Sequence, residues 1–325
     1  MIARRAALGL PLLLATPALA QVGSSGAFPQ RPISLLIPFA AGGPTDMIGR
    51  LLAEGMSKEL GQPVAAENVT GAGGTIAAAR VAQARPDGYN ILLHHIGLAS
   101  AATLYRRLPF DIQRGLAPLG VVSQTGMTLV ARPDFPAADL AAYIETIRRR
   151  GDELNLGHSG LGGSNQLCAL LLQHAAGKSV TNVVFRGSAP AITELMAGRL
   201  DITCDQATVT APFLRDNRIR GYAVTTPQRV PGLELPTTTE LGIPLTMSAW
   251  HGLYATGGTP PEVQQRLAQA IRAALHEDRL KTRFAETFTT VAADREADPA
   301  YHANFLTSEI ERLRPLILAA GQFAD

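Results

Sequence analysis

The sequence predicts an α/β protein of two domains, with sheets that are mainly parallel. Three observations carry that expectation. Short apolar runs rich in β-branched and aromatic residues alternate with stretches of helical period from Ile33 to beyond Trp250, the rhythm of repeated strand–helix units. Glycine-rich turns stand between a strand and the next helix at 40–45, 71–74 and 159–164. The 325 residues, less an N-terminal leader, leave about 300, a length that suits two domains.

The first twenty residues read as an address and not as part of the fold. Arg4 and Arg5 make a basic start, 6–14 a short apolar core, and Ala18-Leu19-Ala20 a small-x-small cleavage site that leaves Gln21 first. The apolar run is too short to span a bilayer. The paired arginines raise a twin-arginine route, but Ala7 and Leu8 follow them weakly and the general secretory route is favoured. No later stretch is long and apolar enough for a membrane span, so a soluble, exported, periplasmic protein is expected. Losing the leader removes two of the 29 basic residues and none of the 27 acidic ones. The balanced charge that remains argues against nucleic-acid binding through a broad basic surface. Residues 22–29, rich in Gly and Ser, suit a flexible leader.

The stretch 33–50 sets the pattern for the rest. ISLLIPF is a buried-strand run; Gly42 and Gly43 break regular structure; Pro44 suits a first helical turn; and Met47, Ile48, Leu51 and Leu52 recur at helical spacing. A strand that feeds a glycine turn and a helix start leaves amides unpaired, a place that favours an anion. The same pattern also suits an ordinary strand–turn–helix corner. A strand at 63–68, a helix at 76–84 closed by Pro86-Asp87-Gly88, and a strand at 89–94 follow. Further strands are expected at 127–131, 154–157, 181–185, 201–205, 220–225 and 250–255. Helices are expected at 138–149, 165–176, 189–197 and 260–274, and 279–320 reads as largely helical.

Most catalytic chemistries fail on spacing. Gly71 and Gly73 begin a dinucleotide fingerprint, but Ile76 occupies its last glycine position, and no Lys-Ser/Thr follows either glycine loop. In Gly157-His158-Ser159-Gly160-Leu161 the fifth residue of a nucleophile elbow is Leu161, and His158 is poorly placed as a base for its neighbour. A secreted serine hydrolase using Ser159 is the rival reading; a third glycine turn at a helix start, with Ser159 and Ser164 as hydrogen-bonding groups, is preferred. His94 and His95 are adjacent at a strand end, point to opposite sides and cannot jointly hold a metal. Either could be a satisfied structural histidine, and His95 could face a cleft. Cys168 and Cys204, the only cysteines, permit one disulfide in an oxidising compartment or two buried thiols. Arg186, at a strand end before Gly187 and Ser188, suits a carboxylate partner or a solvated surface position.

Several long segments occur in one order: PFAAGGPTDMIGR, GAGGTIAAARVAQARPDGYNILL, LYRRLPFD, FRGSAPAITELMAGRLD, AVTTPQR and WHGLYATGGTPPEVQQRL. Together they resemble the Bug-type receptors of tripartite tricarboxylate transporters over essentially the whole mature chain. The resemblance implies a two-domain periplasmic binding protein of type II, with 31–127 and 246–325 as one domain and 128–245 as the other. Crossover strands near 121–128 and 225–250 would join them. It implies a monomer that closes over a small organic carboxylate and delivers it to the membrane components of the transporter. It implies no catalysis and no cofactor, beside the charge balance that argues against nucleic acid and the spacing that offers no metal site. A periplasmic sensor feeding a signalling protein is a further alternative.

By the same resemblance, Phe39, Ala41, Gly42, Gly43, Thr45 and Asp46 form one side of the cleft, and Ser159, Ser164 and Asn165 the other. His95, Arg186, Ser188 and Asp205 line it. The amides of 41–45 are expected to hold the ligand carboxylate, with Asp46 capping the helix or binding water. Arg186 is expected to supply a second anchor or to pair with Asp205. The chain departs from the family at Ala41 (commonly proline), at Val69-Thr70 (Arg-Pro), at Arg186 (lysine) and in SGLGG. These departures bear on the ligand more than on the fold.

Overall fold

The computed structural model describes residues 28–321, 323 and 324. The signal peptide, its cleavage site and most of the flexible leader lie outside the described residues. The chain runs β1 (Ile33–Ile37), α1 (Pro44–Leu60), β2 (Val64–Asn68), α2 (Thr75–Ala82), β3 (Asn90–His95), α3 (Gly97–Leu104), α4 (Ile112–Gly115) and β4 (Leu116–Ala131). It continues through α5 (Leu140–Arg150), β5 (Asn155–His158), α6 (Ser164–Ala176), β6 (Thr181–Val184), α7 (Ser188–Met196), β7 (Ile202–Gln206), α8 (Ala207–Arg215) and β8 (Arg220–Val224). It ends with β9 (Ser248–Thr256), α9 (Pro261–His276), α10 (Asp278–Glu286), β10 (Thr289–Val291) and α11 (Pro299–Ala320).

The strands join in the order β2-β1-β3-β9-β4-β7-β5-β6. Parallel pairing is confined to β2-β1-β3 and β7-β5-β6, where a helix follows each strand. The middle is antiparallel: β9 pairs with β3 on one edge and with β4 on the other. β4 changes partners along its length. Residues 116–126 face β9, whereas Met127–Ala131 faces β7 and β8. β10 adds to β4 at 123–125.

Sequence explains where the helices sit. In α1, Ile48, Leu52, Met56 and Leu60 are buried at four-residue spacing and face the strands. Gly55 lets α9 approach, since a Cβ there would stand 2.7 Å from that of Ala274. Gly61, at φ +66, closes the helix with its amide on the Ser57 carbonyl. α3 was not expected because every face of GLASAATL is small or apolar, and the helix is buried nearly all round. α8 contains Pro212. The first ten residues of β4 hold Pro118 and Gly120, which usually break strands, but register shifts near them absorb the irregularity.

Cys168 on α6 and Cys204 on β7 form a disulfide with a Cα separation of 5.9 Å. That decides between the two states the sequence left open. The bridge closes a loop of 36 residues in the core. Replacing both cysteines with alanine should therefore remove about 3–4 kcal/mol of stability, measured by urea unfolding. An unchanged midpoint would show that packing alone holds α6 on β7.

Candidate functional site

The turn after β1 is held by one carboxylate. Asp46 Oδ2 accepts from the Gly42 amide (2.9 Å) and Arg50 Nε (3.0 Å); Oδ1 accepts from Asn68 Nδ2 (2.9 Å). Asn68 Nδ2 also donates to the Phe39 carbonyl at 2.9 Å. Burial pushes the Asp46 pKa up, but the bonds from Arg50, Gly42 and Asn68 outweigh it and hold the carboxyl below its ordinary value. The side chain thus faces the protein and fastens the turn before the helix; it caps no amide of α1, contrary to the expected capping. Its grip on Gly42 narrows the expected cradle: Gly42 donates inward and Pro44 has no N–H. The amides of Ala41, Thr45 and Asp46 have no protein partner among the described residues. Conformation demands glycine at Gly42, at φ +81. Gly43 is ordinary extended backbone (φ −80), and a Cβ there would meet only the Ala40 carbonyl oxygen, at 3.4 Å.

Behind this turn lies a shelf of imidazoles that sequence reasoning only half found. His95, at the end of β3, stacks on Phe39 with ring centroids 4.4 Å apart. Its Nδ1 accepts from the Gly97 amide at 2.8 Å. His251, opposite His95 in the β3–β9 register, joins Thr45 Oγ1 (3.0 Å) and Ser123 Oγ (3.1 Å), so it ties the start of α1 to β4. His94 Nδ1 bonds the His95 carbonyl at 3.1 Å. Burial pushes all three rings down: His94 to about 4, His251 to about 3, and His95 well below its ordinary value.

The turn after β5 is organised by Asn165. Its Oδ1 accepts from Ser159 Oγ (2.6 Å), the Ser159 amide (3.1 Å) and the Gln166 amide (2.9 Å). Its Nδ2 donates to Asp205 Oδ2 (3.1 Å) and Ser188 Oγ (3.4 Å). Asp205 is buried, which raises its pKa against the hydrogen bonds from Ser188, Gln206 and Asn165. The expected Arg186–Asp205 pair does not form: Arg186 is exposed, while Asp205 is occupied beneath the turn. Ser164 Oγ receives Gln206 Nε2 at 3.1 Å, a partner that sequence reasoning missed. His158 Nδ1 is taken by the Gly160 amide (3.0 Å), so His158 and Ser159 do not form a nucleophile–base pair. No group of three or more potential metal ligands occurs among the described residues.

A family model, tripartite tricarboxylate transporter family receptor, matches residues 48–321. The chain belongs to this family. A relative from Agrobacterium vitis, encoded in the TAR-I ttuE–ttuC′ intergenic region, is 39% identical over 315 residues, 96% of this chain and 90% of the relative. The solved structure of the periplasmic binding protein BugD is 35% identical, with TM-score 0.84 over 92% of this chain and 100% of BugD. MatC from Rhodopseudomonas palustris, solved with bound malate, is 34% identical, with TM-score 0.83 over 89% of this chain and 100% of MatC. The chain therefore has the periplasmic binding protein fold of the Bug-type receptors.

In this receptor the turn after β5 meets the first half of the chain backbone to backbone. A Cβ on Gly73 would stand 2.7 Å from the Leu161 carbonyl oxygen and 3.1 Å from Gly162 Cα. One on Gly97 would overlap the Gly162 carbonyl oxygen and lie 2.5 Å from His95 Cε1. Gly73→Ala and Gly97→Ala should each cost about 1–3 kcal/mol in urea unfolding; unchanged midpoints would mean that the turns do not touch in solution.

The buried histidines fix the receptor's response to acid. His94, His95, His158, His251 and His302 all have folded-state pKa values below the ordinary 6.5 because of burial. Below pH 6.5 the unfolded chain binds more protons than the folded one, so stability falls as pH drops toward 4. Each ring contributes up to about 1.4 kcal/mol per pH unit in that window. Unfolding free energies at pH 7, 6 and 5 should decline with increasing slope, and a flat profile would contradict the burial of these rings.

Proposed function

We propose that the chain is an exported receptor that captures a small organic carboxylate between two α/β domains, 31–127 with 246–325 and 128–245. It then hands the solute to the membrane components of a tripartite tricarboxylate transporter. One observation carries the reading. The helix starts of α1 and α6 are both held by internal carboxylate or amide networks, which leaves the Ala41, Thr45 and Asp46 amides free beside Phe39 and His95. Unpartnered amides at a helix start attract an anion, and the helix dipole adds to them.

The roles follow from the contacts. Ala41 and Thr45 supply amides, Gly42 the turn, and Asp46 the clamp that shapes it. Ser159, Ser164 and Asn165 order the opposite turn with Ser188 and Asp205 behind them. Arg186, exposed at the end of β6, draws the anion in and reaches it from the rim. Binding and not turnover is the activity, since Ser159 donates to Asn165 and no base faces it. MatC holds malate; four-carbon dicarboxylates and hydroxy acids are the first candidates for this chain.

Calorimetry and thermal shift against mono-, di- and tricarboxylates, with neutral amides as controls, test the class. A true ligand at 100 times its Kd should add roughly 2.7 kcal/mol; a best ligand without a carboxylate would overturn the reading. Gly42→Val should weaken binding by more than about tenfold, because a β-branched residue is strained at positive φ, whereas Gly43→Ala should be tolerated. Equal effects of the two would remove the turn from the site. Arg186→Ala should leave the melting temperature unchanged and lower affinity by less than about tenfold, with a loss that shrinks as salt rises.

A further inference from the structure

Three imidazoles border the proposed cleft, and their nitrogens are not equivalent. His251 has both ring nitrogens engaged, by Thr45 and Ser123. His94 has Nδ1 on the His95 carbonyl, and its Nε2 is sealed against Gly74, where a Cβ would overlap it. His95 differs. Its Nδ1 accepts a hydrogen bond from the Gly97 amide, so that nitrogen carries no proton and the ring is the neutral form with its proton on Nε2. The Nε2–H has no protein partner among the described residues. It is also absent from the sealed, partnerless side-chain atoms, which are His94 Nε2, Tyr143 Oη and Gln206 Oε1. It therefore opens onto accessible space.

The ring cannot turn away. Phe39 stacks on one face at 4.4 Å, His251 stands edge-on at 5.9 Å and His94 at 5.2 Å. Its Cε1 edge lies where Gly97 meets the Gly162 carbonyl, between the two glycine turns. The groups against the His95 ring among the described residues, Phe39, His94, His251 and the Gly97 amide, carry no charge. Arg50 serves Asp46 and Asn68, and Arg186 is exposed. A ligand oxygen that meets His95 thus meets one neutral donor among aromatic rings, with no countercharge. A carboxylate placed there would be desolvated without compensation, whereas a hydroxyl or carbonyl oxygen is satisfied by a single N–H.

We propose that His95 is a specificity-determining residue: a fixed Nε2–H donor that reads an uncharged oxygen, hydroxyl or carbonyl, on the carboxylate ligand. The inference rests on the receptor reading above and adds what kind of second group the ligand carries. It accounts for the Phe39 stack and for the Gly97 bond, which together select one tautomer and one orientation.

The test compares L-malate with succinate, which lacks its hydroxyl, on the wild type, His95→Gln and His95→Phe. Wild type should bind malate at least tenfold more tightly. His95→Phe, which keeps the stack and loses the donor, should bring the ratio of malate to succinate affinity to about one. His95→Gln, whose side-chain amide places an N–H near the lost Nε2, should restore most of the preference. Independently, 15N NMR of the unliganded protein at pH 7 should show the Nε2–H tautomer at His95. Equal affinity of wild type for the two acids, a preference that survives His95→Phe, or an Nδ1–H ring would each overturn the proposal. If no carboxylate of any kind binds while NMR shows the Nε2–H ring, the receptor reading fails first and this inference falls with it.

Discussion

The rest of the structure depends on β4 being shared. It is 16 residues long, and it spends its first part on β9 and its last part on β7 and β8. Backbone hydrogen bonds must be satisfied along a buried strand, so neither group of strands can give β4 up. The turn after β1 and the turn after β5 are thereby referred to one piece of backbone. Ser123, just before the change of partners, reaches His251, which reaches Thr45 at the start of α1. The polar strut that fixes the first turn is anchored in the strand that both halves share.

The proposed anion recognition avoids a buried cation. A guanidinium in the cleft would need a partner in the empty receptor, and removing it from water would cost several kcal/mol. Here Arg50 is bound to Asp46, Arg186 stands only at the rim, and the groups left unpaired within the turn are amides and one imidazole N–H. Neutral donors can stand unpaired toward solvent at little cost and still gain when an anion arrives, because the helix dipole concentrates partial positive charge where they point.

Much of this was legible in the sequence where the signal is local. The strand, glycine pair, proline and apolar spacing of 33–50 define the first turn, and the repulsion expected of a bare Asp46 correctly argued that its side chain is engaged by the protein. Contacts distant in sequence were not legible. Thr45 and His251 are 206 residues apart, and their meeting depends on the β3–β9 register, which no local pattern encodes. Arg186 and Asp205 were expected as possible partners of opposite charge, yet Asp205 sits in β7, which is buried along its whole length and bonds Asn165, while Arg186 lies past the end of β6 and is exposed. The opening of β4 was hidden by Pro118 and Gly120, whose local preference is overridden by pairing with β9. For α3 the missing signal was a polar face, which a helix buried all round does not have.

The contact between the two glycine turns bears on how a ligand could control the shape of the receptor. Gly73, Gly97 and Gly162 bring backbone against backbone, with Tyr105 and His95 beside them, and one apolar core continues from α3 and α11 to α6. The ion pairs that decorate the surface, such as Lys58–Glu277, Arg132–Asp201 and Arg229–Glu240, lie within one half of the chain or the other. On the receptor reading, a ligand would favour that contact by bridging the α1 amides and His95, which lie together in the first half of the chain, to the turn after β5. A ligand shifts a two-state equilibrium only by its difference in affinity for the two states, so that difference would have to come from bonds the ligand makes to the turn after β5 in addition to those it makes to the first turn.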